Sequence, residues 1–519
     1  MVQELGRADK PNKQSLNRRR GATANTRGAS HRIASPTHPL YLCLCSSRTN
    51  GIVCEPPPPL PLPQWLWSTW PRAAADAASS ALAAAVFAFL DVLDALLCLV
   101  YALLDGVLEE SPVRCYCHRS QDEDEDEELS DTLYVRRSGV RDALVRLLLL
   151  FVGGGRRGRR EPAGAPCSSD KWRSPRWSDC ACESCVEWRG SGGRLHVVVK
   201  EPQGKPDAGA AAGTTAAASE SAGNAIFLHG FSSSSSFWAE TVFREGILSS
   251  SDCRLLAVDL LGFGRSPKPG DCMYRLRDHV EAIERSLIEP LGLSSFHLVS
   301  HSMGCVVALA LAAKHPDRVK SITLVAPPYF LPPHGDGGGG GQKKASQVAL
   351  NRLAAKKLWP PLMFGSAVMS WYEHVGRTVC LFVCKNHRLW ERLLSRLRRG
   401  DGGVDFRLRD LTRHTHHSAW HTMHNVICGG ARLQGASLEA VRAAGIPVQA
   451  IHGVDDQVVP VECSRHLKAK LPTAALRVMA GCDHATVVFG RERDFADELR
   501  AFWSSAASGS EPPAGSSVG

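Results

Sequence analysis

The chain has 519 residues, of which 44% are hydrophobic and 22% are charged, and its formal net charge is +9 at pH 7. This composition is ordinary for a protein that buries a core, so it excludes a wholly disordered, collagen-like or multi-span membrane protein. Ten Lys and Arg fall within residues 1–72 against three acidic residues, and no nucleic-acid-binding motif accompanies them. We therefore expect no nucleic-acid partner.

The N-terminal residues 1–72 are rich in Arg, Ser and Asn and contain a run of four prolines at 56–59. Such a stretch cannot bury enough apolar surface to offset the entropy of ordering, so the sequence predicts a disordered basic arm. Arg and Ser with few acids are also typical of a transit peptide, which is the alternative.

Residues 73–112 form a hydrophobic segment, and residues 81–104 within it are long enough to cross a bilayer. Asp91 and Asp94 would share one face of a helix, where each carboxylate is costly inside a bilayer. We predict a signal anchor or an uncleaved signal. The alternative is an amphipathic helix that lies on a membrane or on the protein's own surface.

Residues 113–194 contain an acidic run at 122–128 and are predicted to be a linker. Within them, Cys180, Cys182 and Cys185 form a tight cluster. A zinc site would need a fourth ligand and more regular spacing, so we expect no metal and no cofactor. Disulfides formed in a secretory compartment are the favoured interpretation, with unpaired thiols as the alternative.

From residue 195 to residue 508, short apolar runs alternate with helical patterns, which is typical of a parallel sheet with right-handed crossovers. A strand-like run at 195–200 comes first, and six predicted strands follow at 225–228, 254–259, 296–300, 321–326, 448–453 and 476–480. The predicted helices lie at 273–291, 302–315, 463–471 and 491–503. The long gap at about 328–445 is predicted to be a mostly helical lid over the carboxyl edge of the sheet. Residues 509–519 are predicted to be a disordered tail.

The predicted strand at 296–300 leads into the sequence SHSMG and then into an apolar helix. A strand, a sharp turn and a helix form the context of a nucleophile elbow, with Ser302 at the apex. Strand and helix nearly touch there, so small residues must stand two positions away on either side. Gly304 meets this need, whereas Ser300 stands where the usual pattern has glycine. Chance matches are common in serine-rich chains, but this one lies between a strand and an alanine-rich helix.

The residues expected to assist a serine nucleophile follow in chain order. Asp456 comes directly after a predicted strand, with Asp455 as the competing carboxylate, and His484 lies in a loop before the last helix. His484 would take the proton of Ser302 as general base, and Asp456 would fix its tautomer and stabilise the imidazolium. Three other histidines are predicted to be surface or lid contacts, namely His414, His416 and His417.

An oxyanion needs backbone donors near the nucleophile. The sequence HGF at 229–231 follows an early strand, and the amide of Phe231 is predicted to be one donor, with the amide of Met303 as the other. The sequence at 259–266 is interpreted as a structural tight turn.

Together these motifs resemble the α/β-hydrolase superfamily over roughly residues 195–505. Four further segments resemble the plant BODYGUARD proteins, namely FLDVLDALLCLVY (89–101), CYC (115–117), KHPDRVKSITLVAPPYF (314–330) and HGVDDQVVPVECS (452–464). The resemblance implies an α/β-hydrolase fold, with a mostly parallel sheet flanked by helices and a helical lid insertion. It also implies a lysophospholipase or an extracellular acyl-transfer enzyme of cutin and cuticle formation. Residues 1–72 have no place in this resemblance.

The residues and the resemblance predict a serine hydrolase or acyltransferase that acts on lipid acyl esters, since water and an alcohol compete for the same acyl-enzyme. The alternative is a non-catalytic protein of the same fold that binds or scaffolds. Aromatic side chains of the lid are predicted to wall an acyl-chain tunnel above Ser302, with simple core packing as the alternative. They are Trp359, Phe364, Trp371, Tyr372, Trp390 and Trp420.

The charge pattern around residues 81–104 predicts where the catalytic domain lies. Positive charge precedes the segment and acidic residues follow it, so the domain is expected to reach the lumen of the secretory pathway, the cell wall or the extracellular face. Plastid or cytosol is the alternative. We also expect association with a membrane through the N-terminal segment.

Overall fold

The computed structural model describes residues 70–108, 128–135, 176–202, 223–248 apart from residue 245, 253–329, 341–354, 365–397 and 406–508. The expected basic arm, except for its last three residues, and the expected C-terminal tail lie outside the described residues, as do Cys115, Cys117, Trp359 and Phe364.

A seven-stranded sheet forms the centre of the protein. Its strands are β1 (Val197–Lys200), β2 (Gly223–Leu228), β3 (Cys253–Val258), β4 (Phe296–His301), β5 (Val319–Val325), β6 (Val448–Gly453) and β7 (Ala475–Met479). They lie in the order β1-β3-β2-β4-β5-β6-β7, and every neighbouring pair is parallel except β1 with β3. The prediction of a mostly parallel sheet is confirmed, and each predicted strand is present with its ends within two residues.

The helices are labelled in chain order. They are α1 (Trp70–Leu108), α2 (Glu183–Val186), α3 (Ser236–Ala239), α4 (Leu276–Ile283), α5 (Met303–Lys314), α6 (Gly341–Ala354), α7 (Gly365–Trp371), α8 (Glu373–Phe382), α9 (His387–Leu397), α10 (Phe406–Leu411), α11 (His416–Thr422), α12 (Gly429–Ala443), α13 (Glu462–Lys470) and α14 (Glu492–Ser508). One π-helical turn, Glu284–Ile288, continues α4, and another, Met423–Cys428, joins α11 to α12. The four helices predicted for the catalytic domain correspond to α4, α5, α13 and α14.

Both faces of the sheet carry apolar side chains, because helices cover both of them. Along β2, Ile226 and Leu228 belong to the core cluster that includes α5, whereas Ala225 and Phe227 belong to a second cluster that includes α14. Successive side chains of a strand point to opposite faces, so this alternation assigns one cluster to each side. The continuous apolar runs that mark these strands in the sequence are the result.

The described residues between β5 and β6 are mostly helical, as the sequence predicts. We call α6 to α12, residues 341–443, the helical insertion. Its last helix, α12, packs closely on α5, because a Cβ atom at Gly430 would come within 2.6 Å of a methyl carbon of Val306. The insertion is thereby fixed to the helix that follows the predicted nucleophile.

Two pieces of the predicted linker pack on the domain instead. In residues 128–135, Leu133 is fully buried in the main core, and the amide of Ser130 donates to Oδ1 of Asn425 at 3.1 Å. Residues 176–194 contain α2 and lie against the helical insertion through contacts described below. These contacts join residues far apart in the sequence, so local composition gave no sign of them.

Helix α1 lies along the insertion with a side that carries Asp91 and Asp94 as well as the buried Leu90. Asp94 Oδ1 accepts hydrogen bonds from the amides of His374 and Val375 at 2.8 and 3.1 Å, so it caps the first turn of α8. Asp91 Oδ1 accepts a hydrogen bond from the Tyr372 hydroxyl at 2.9 Å. The opposite side of α1 exposes large apolar side chains, namely Leu82, Phe89, Val92, Leu96, Val100, Leu103, Val107 and Leu108.

The same helix is apolar and long enough, over Ala81–Leu108, to cross a membrane. In the structure, however, Asp94 binds amides in the first turn of α8, and Asp91 binds Tyr372, the residue before α8. These are the two carboxylates that weaken the prediction of a membrane span. The alternative of a surface helix on the protein therefore describes the observed packing.

Candidate active site

Ser302 occupies the sharp turn between β4 and α5. Its backbone has φ 51° and ψ −122°, a conformation that L residues rarely adopt and that costs of order 1–3 kcal/mol. The turn is held by two backbone hydrogen bonds, from the Ser302 amide to Val325 O at 2.8 Å and from the Cys305 amide to Ser302 O at 2.9 Å. This is the geometry expected of a nucleophile elbow.

The residues two positions away from Ser302 fit the close approach of strand and helix. A Cβ atom at Gly304 would lie 2.6 Å from His229 O and 2.9 Å from Leu228 O, so only glycine fits there. Ser300 is fully buried, and its hydroxyl donates to Thr323 O at 3.3 Å. Serine is thus accommodated where the usual motif has glycine.

Asp456 and His484 are hydrogen-bonded to each other. His484 Nδ1 lies 2.7 Å from Asp456 Oδ2, and Asp456 Oδ1 accepts from the amides of Val458 and Val459 at 2.7 and 2.8 Å. Burial alone would raise the pKa of Asp456. Hydrogen bonds from His452 and His484 outweigh the effect of burial and hold this pKa well below its usual range.

The competing carboxylate, Asp455, is exposed, and its side chain makes no hydrogen bond within the described part of the chain. Its backbone amide donates to Cys482 O at 2.9 Å. The geometry therefore associates His484 with Asp456 and not with Asp455.

Two further histidines, which the sequence did not single out, support this arrangement. His452 is fully buried, and its Nε2 lies 2.9 Å from Val459 O and 3.2 Å from Asp456 Oδ2, so it donates toward both. Its Nδ1 lies 2.6 Å from Ser464 Oγ. The only sign of His452 in the sequence is its place at the end of β6, four residues before Asp456.

His301, directly before the serine, connects the elbow to the His484 loop. Its Nε2 donates to the backbone oxygen of His484 at 2.9 Å, and its ring stacks on Phe237 at 4.6 Å between centroids. Burial, together with the nearby His484, lowers the pKa of His301 to about 3. His301 is therefore neutral and carries the single proton that this hydrogen bond needs.

Ser302, Asp456 and His484 all lie at the carboxyl edge of the sheet, after β4, β6 and β7. The Ser302 hydroxyl makes no hydrogen bond to His484 within the described residues. Catalytic hydrogen bonds of this kind often tighten only when substrate is bound.

The two predicted oxyanion donors lie on either side of the serine. Met303 begins α5, and Phe231 follows β2 in a loop that passes against the elbow, where a Cβ atom at Gly230 would lie 3.1 Å from Ser302 Cβ. Neither amide, of Phe231 or of Met303, donates a hydrogen bond within the described residues. His229 holds the loop, since its Nε2 accepts from the Leu260 amide at 2.9 Å and its Nδ1 donates to Gly230 O at 2.7 Å.

The turn at 259–266 has the structural role that the sequence predicts. Asp259 Oδ1 accepts from the Ser235 amide at 2.5 Å, and its Oδ2 accepts from the Arg265 amide at 2.8 Å. These bonds fix the loop after β3 next to the loop after β2.

The described aromatic residues of the insertion pack in ways that favour the simpler alternative. Trp420 is buried in the main core, Tyr372 contacts α1, and Trp390 is 44% exposed. Trp371 is partly buried against the core. These positions are those of packing and surface residues, and they give the predicted tunnel no support.

The three insertion histidines take different positions. His416 and His417 are buried and not on the surface, and His417 Nε2 donates to Cys272 O at 2.8 Å. His414 Nε2 lies 3.7 and 3.6 Å from the sulfurs of Cys380 and Cys384.

Cys180, Cys182 and Cys185 are free thiols in the structure. The prediction of disulfides was wrong for this cluster, because the three sulfurs converge on the imidazole of His387.

Comparison with known proteins agrees with this architecture. The family described as "alpha/beta hydrolase fold" matches residues 226–490, and the chain belongs to it. Two Arabidopsis thaliana proteins match over much more of the chain. "Probable lysophospholipase BODYGUARD 4" is 45% identical over 444 residues, which are 84% of this chain and 100% of that protein. "Probable lysophospholipase BODYGUARD 5" is 41% identical over 446 residues, which are 81% of this chain and 94% of that protein. Within the larger family, the chain is a member of the BODYGUARD group.

Proposed function

We propose that the protein is a serine carboxyl-ester hydrolase or acyltransferase that acts on lipid acyl esters. Ser302 is the nucleophile, His484 the general base, and Asp456 the carboxylate that orients His484. The observation that carries the proposal is the 2.7 Å hydrogen bond between Asp456 and His484. This hydrogen bond lies at the same edge of the sheet as Ser302, whose backbone is strained.

The proposed mechanism uses the tautomer that this bond favours. With the proton on Nδ1 donated to Asp456, Nε2 of His484 is free to accept the proton of Ser302 as its oxygen attacks the ester carbonyl. The amides of Phe231 and Met303 stabilise the oxyanion of the tetrahedral intermediate. His484 then gives the proton to the leaving alcohol, and an acyl-Ser302 ester remains.

The second half of the reaction decides between hydrolysis and transfer. His484 removes a proton from either water or an acceptor hydroxyl as the oxygen attacks the acyl-enzyme, and it returns the proton to Ser302 Oγ when the acyl-serine ester bond breaks. The names of the Arabidopsis relatives, probable lysophospholipases, support a lipid acyl ester as substrate. The resemblance to BODYGUARD proteins supports a role in cutin and cuticle formation.

A fluorophosphonate probe tests the chemistry directly, because it forms a covalent bond with an activated serine. We expect the purified chain to be labelled and Ser302→Ala to be unlabelled, with p-nitrophenyl ester turnover lost by several orders of magnitude. Asp455→Asn serves as the folded comparison and is expected to be labelled like the wild type, because its carboxylate is exposed. A wild-type protein that is neither labelled nor active on esters would instead be a non-catalytic binding or scaffolding protein.

We further propose that the N-terminal segment brings the catalytic domain to the secretory pathway, with the cell wall or the extracellular face as destination. If the segment enters the membrane as a signal anchor, the basic residues before α1 and the acidic residues after it support this location, because positive charge stays on the cytosolic side. A glycosylation-site tag placed after Ser508 is expected to be modified in plant cells. An unmodified tag on protein from the cytosolic or plastid fraction would contradict this location and leave the proposed chemistry unaffected.

A further inference from the structure

Three thiols and one imidazole meet at one point outside the candidate active site. Cys180, Cys182 and Cys185 come from the segment before β1, and His387 is the first residue of α9. The sulfurs of Cys182 and Cys185 each lie 3.4 Å from Nε2 of His387. The four ligand atoms all lie within 4.8 Å of one another.

The two S···N distances match the edges of a zinc tetrahedron. With Zn–S near 2.3 Å and Zn–N near 2.0–2.1 Å, ligand atoms at tetrahedral angles are about 3.5 Å apart for S···N and about 3.8 Å apart for S···S. We propose that Cys180, Cys182, Cys185 and His387 bind one structural zinc ion. His387 is the fourth ligand that the cysteine cluster lacks in the sequence, because it lies about 200 residues further along the chain.

The imidazole of His387 is held as a metal ligand requires. Its side chain is almost fully buried, and its Nδ1 donates to Glu391 Oε1 at 3.1 Å, one helical turn further along α9. This bond places the ring proton on Nδ1 and leaves the Nε2 lone pair directed at the three sulfurs. A carboxylate behind a ligating histidine is the usual arrangement around zinc in proteins.

The charge around the cluster also suits a zinc–thiolate site. Binding of Zn²⁺ releases three protons from the three thiols, so the occupied site carries a net charge of −1. Lys268 lines the same cavity as Cys180 and Cys185, and it is buried. Its Nζ donates to Gly264 O at 2.6 Å and Ser266 O at 3.0 Å, so the cation is fixed beside the sulfurs that it would neutralise.

The site is structural rather than catalytic. Four protein ligands leave no open position for water or substrate, which is the pattern of closed zinc sites. The ion would fasten the segment before β1 to the helical insertion. One further bond, from Lys385 Nζ to Trp177 O, joins the same two parts.

A second group of possible ligands lies nearby in the insertion. Cys380, Cys384 and His414 offer three ligand atoms within the same distance of one another. A closed zinc site takes four ligands, so the proposal does not include this group. The test therefore measures how much zinc a variant loses relative to the wild type, and not the total zinc content of the chain.

Metal analysis by inductively coupled plasma mass spectrometry tests the proposal on the full chain. We expect the double variant Cys182→Ser/Cys185→Ser to contain one zinc per chain fewer than the wild type. Cys253→Ser, which changes a buried cysteine of β3, is the matched control and keeps the wild-type content. Glu391→Gln is expected to weaken zinc binding about tenfold in a chelator competition, because the carboxylate that holds Nδ1 of His387 is lost.

Measurements on the wild type keep the proposal falsifiable if the double variant does not fold. X-ray absorption at the zinc edge should show about three sulfur ligands and one nitrogen, as the ligand set requires. Cobalt(II) substitution should give thiolate charge-transfer and tetrahedral absorption bands. A wild type that binds neither metal, or a disulfide within residues 180–185 in non-reducing mass spectrometry, would overturn the proposal. Ser302→Ala should keep its zinc, so failure of the proposed catalytic function remains distinguishable.

Discussion

The ion pair between Asp105 and Arg377 allows the position of α1 to be tested. Arg377 Nη1 and Nη2 donate to the two carboxylate oxygens of Asp105 at 2.7 and 2.8 Å, and Trp177 Nε1 donates to Oδ1 at 2.7 Å. Both members of the pair are buried, with 5% and 4% of their surface exposed. The Arg377 guanidinium also lies over the ring of Tyr101, 4.3 Å from its centroid. The pair thus joins α1, residues 176–178 and α8.

Replacing Asp105 with Ala removes three hydrogen bonds and leaves the Arg377 cation buried without its partner. Ser178 Oγ would still accept two hydrogen bonds from the guanidinium, at 3.1 and 3.0 Å. Loss of one partner of a buried ion pair costs about 3–5 kcal/mol. At roughly 2 °C per kcal/mol for a large domain, Tm should fall by about 6–10 °C.

Thermal unfolding of the full chain in mild detergent, followed by circular dichroism, measures this effect. Val92→Ala is the matched control, since its side chain lies on the exposed side of α1 and should change the free energy of unfolding by about 0.5 kcal/mol or less. The double variant Asp105→Leu/Arg377→Met should recover much of the loss, because it leaves no buried charge. Equal Tm values for Asp105→Ala and Val92→Ala would refute the docking of α1 on the insertion.

Two matched pairs test the active-site geometry. Asp456→Asn should lower ester turnover about 10⁴-fold by favouring the wrong tautomer of the catalytic histidine, whereas Asp455→Asn should keep most activity. Because the pKa of Asp456 is depressed, its ionised form adds stability that is complete above the unfolded pKa of about 3.9 and is lost on further acidification. The lower unfolding free energy of Asp456→Asn relative to wild type should therefore persist from pH 7 to pH 5 and shrink only below about pH 4. A difference that has already vanished at pH 5 would contradict the depressed pKa. Gly304→Ala should destabilise the elbow by about 1–3 kcal/mol, since its Cβ meets backbone oxygens. Gly435→Ala on α12, where a Cβ atom would meet nothing within 4 Å, should stabilise by up to about 1 kcal/mol. Urea titrations of both variants measure the two effects, and equal effects would refute the steric argument.

The sheet and the elbow could be predicted because their signals are local. A buried parallel strand is a short apolar run, and the turn at Ser302 requires small residues at fixed offsets. Asp456 and His484 follow from chain order, since the carboxyl ends of parallel strands meet at one edge. The choice of Asp456 over Asp455 is favoured by spacing in the sequence and by a hydrogen bond in the structure.

The contacts that could not be predicted join residues far apart in sequence. His387 lies about 200 residues from the cysteines that it meets, and neither stretch has a composition that indicates a partner. Leu129 and Leu133 are likewise buried in a segment of only eight described residues, 128–135. So short a segment leaves too few positions for a hydrophobic periodicity to show in the sequence.

Long-range contacts also explain why the apolar helix α1 contains Asp91, Asp94 and Asp105. An apolar helix of a water-soluble domain turns its apolar side inward, whereas α1 turns Asp94 and Asp105 inward and leaves Phe89 and Val100 exposed. The carboxylates are satisfied by the amides at the start of α8 and by Arg377, so they would not enter a hydrocarbon layer. The exposed apolar side is the one that the proposed association with a membrane would cover. Asp91 and Asp94 therefore do not oppose that association; they fix which side of the helix is left to make it.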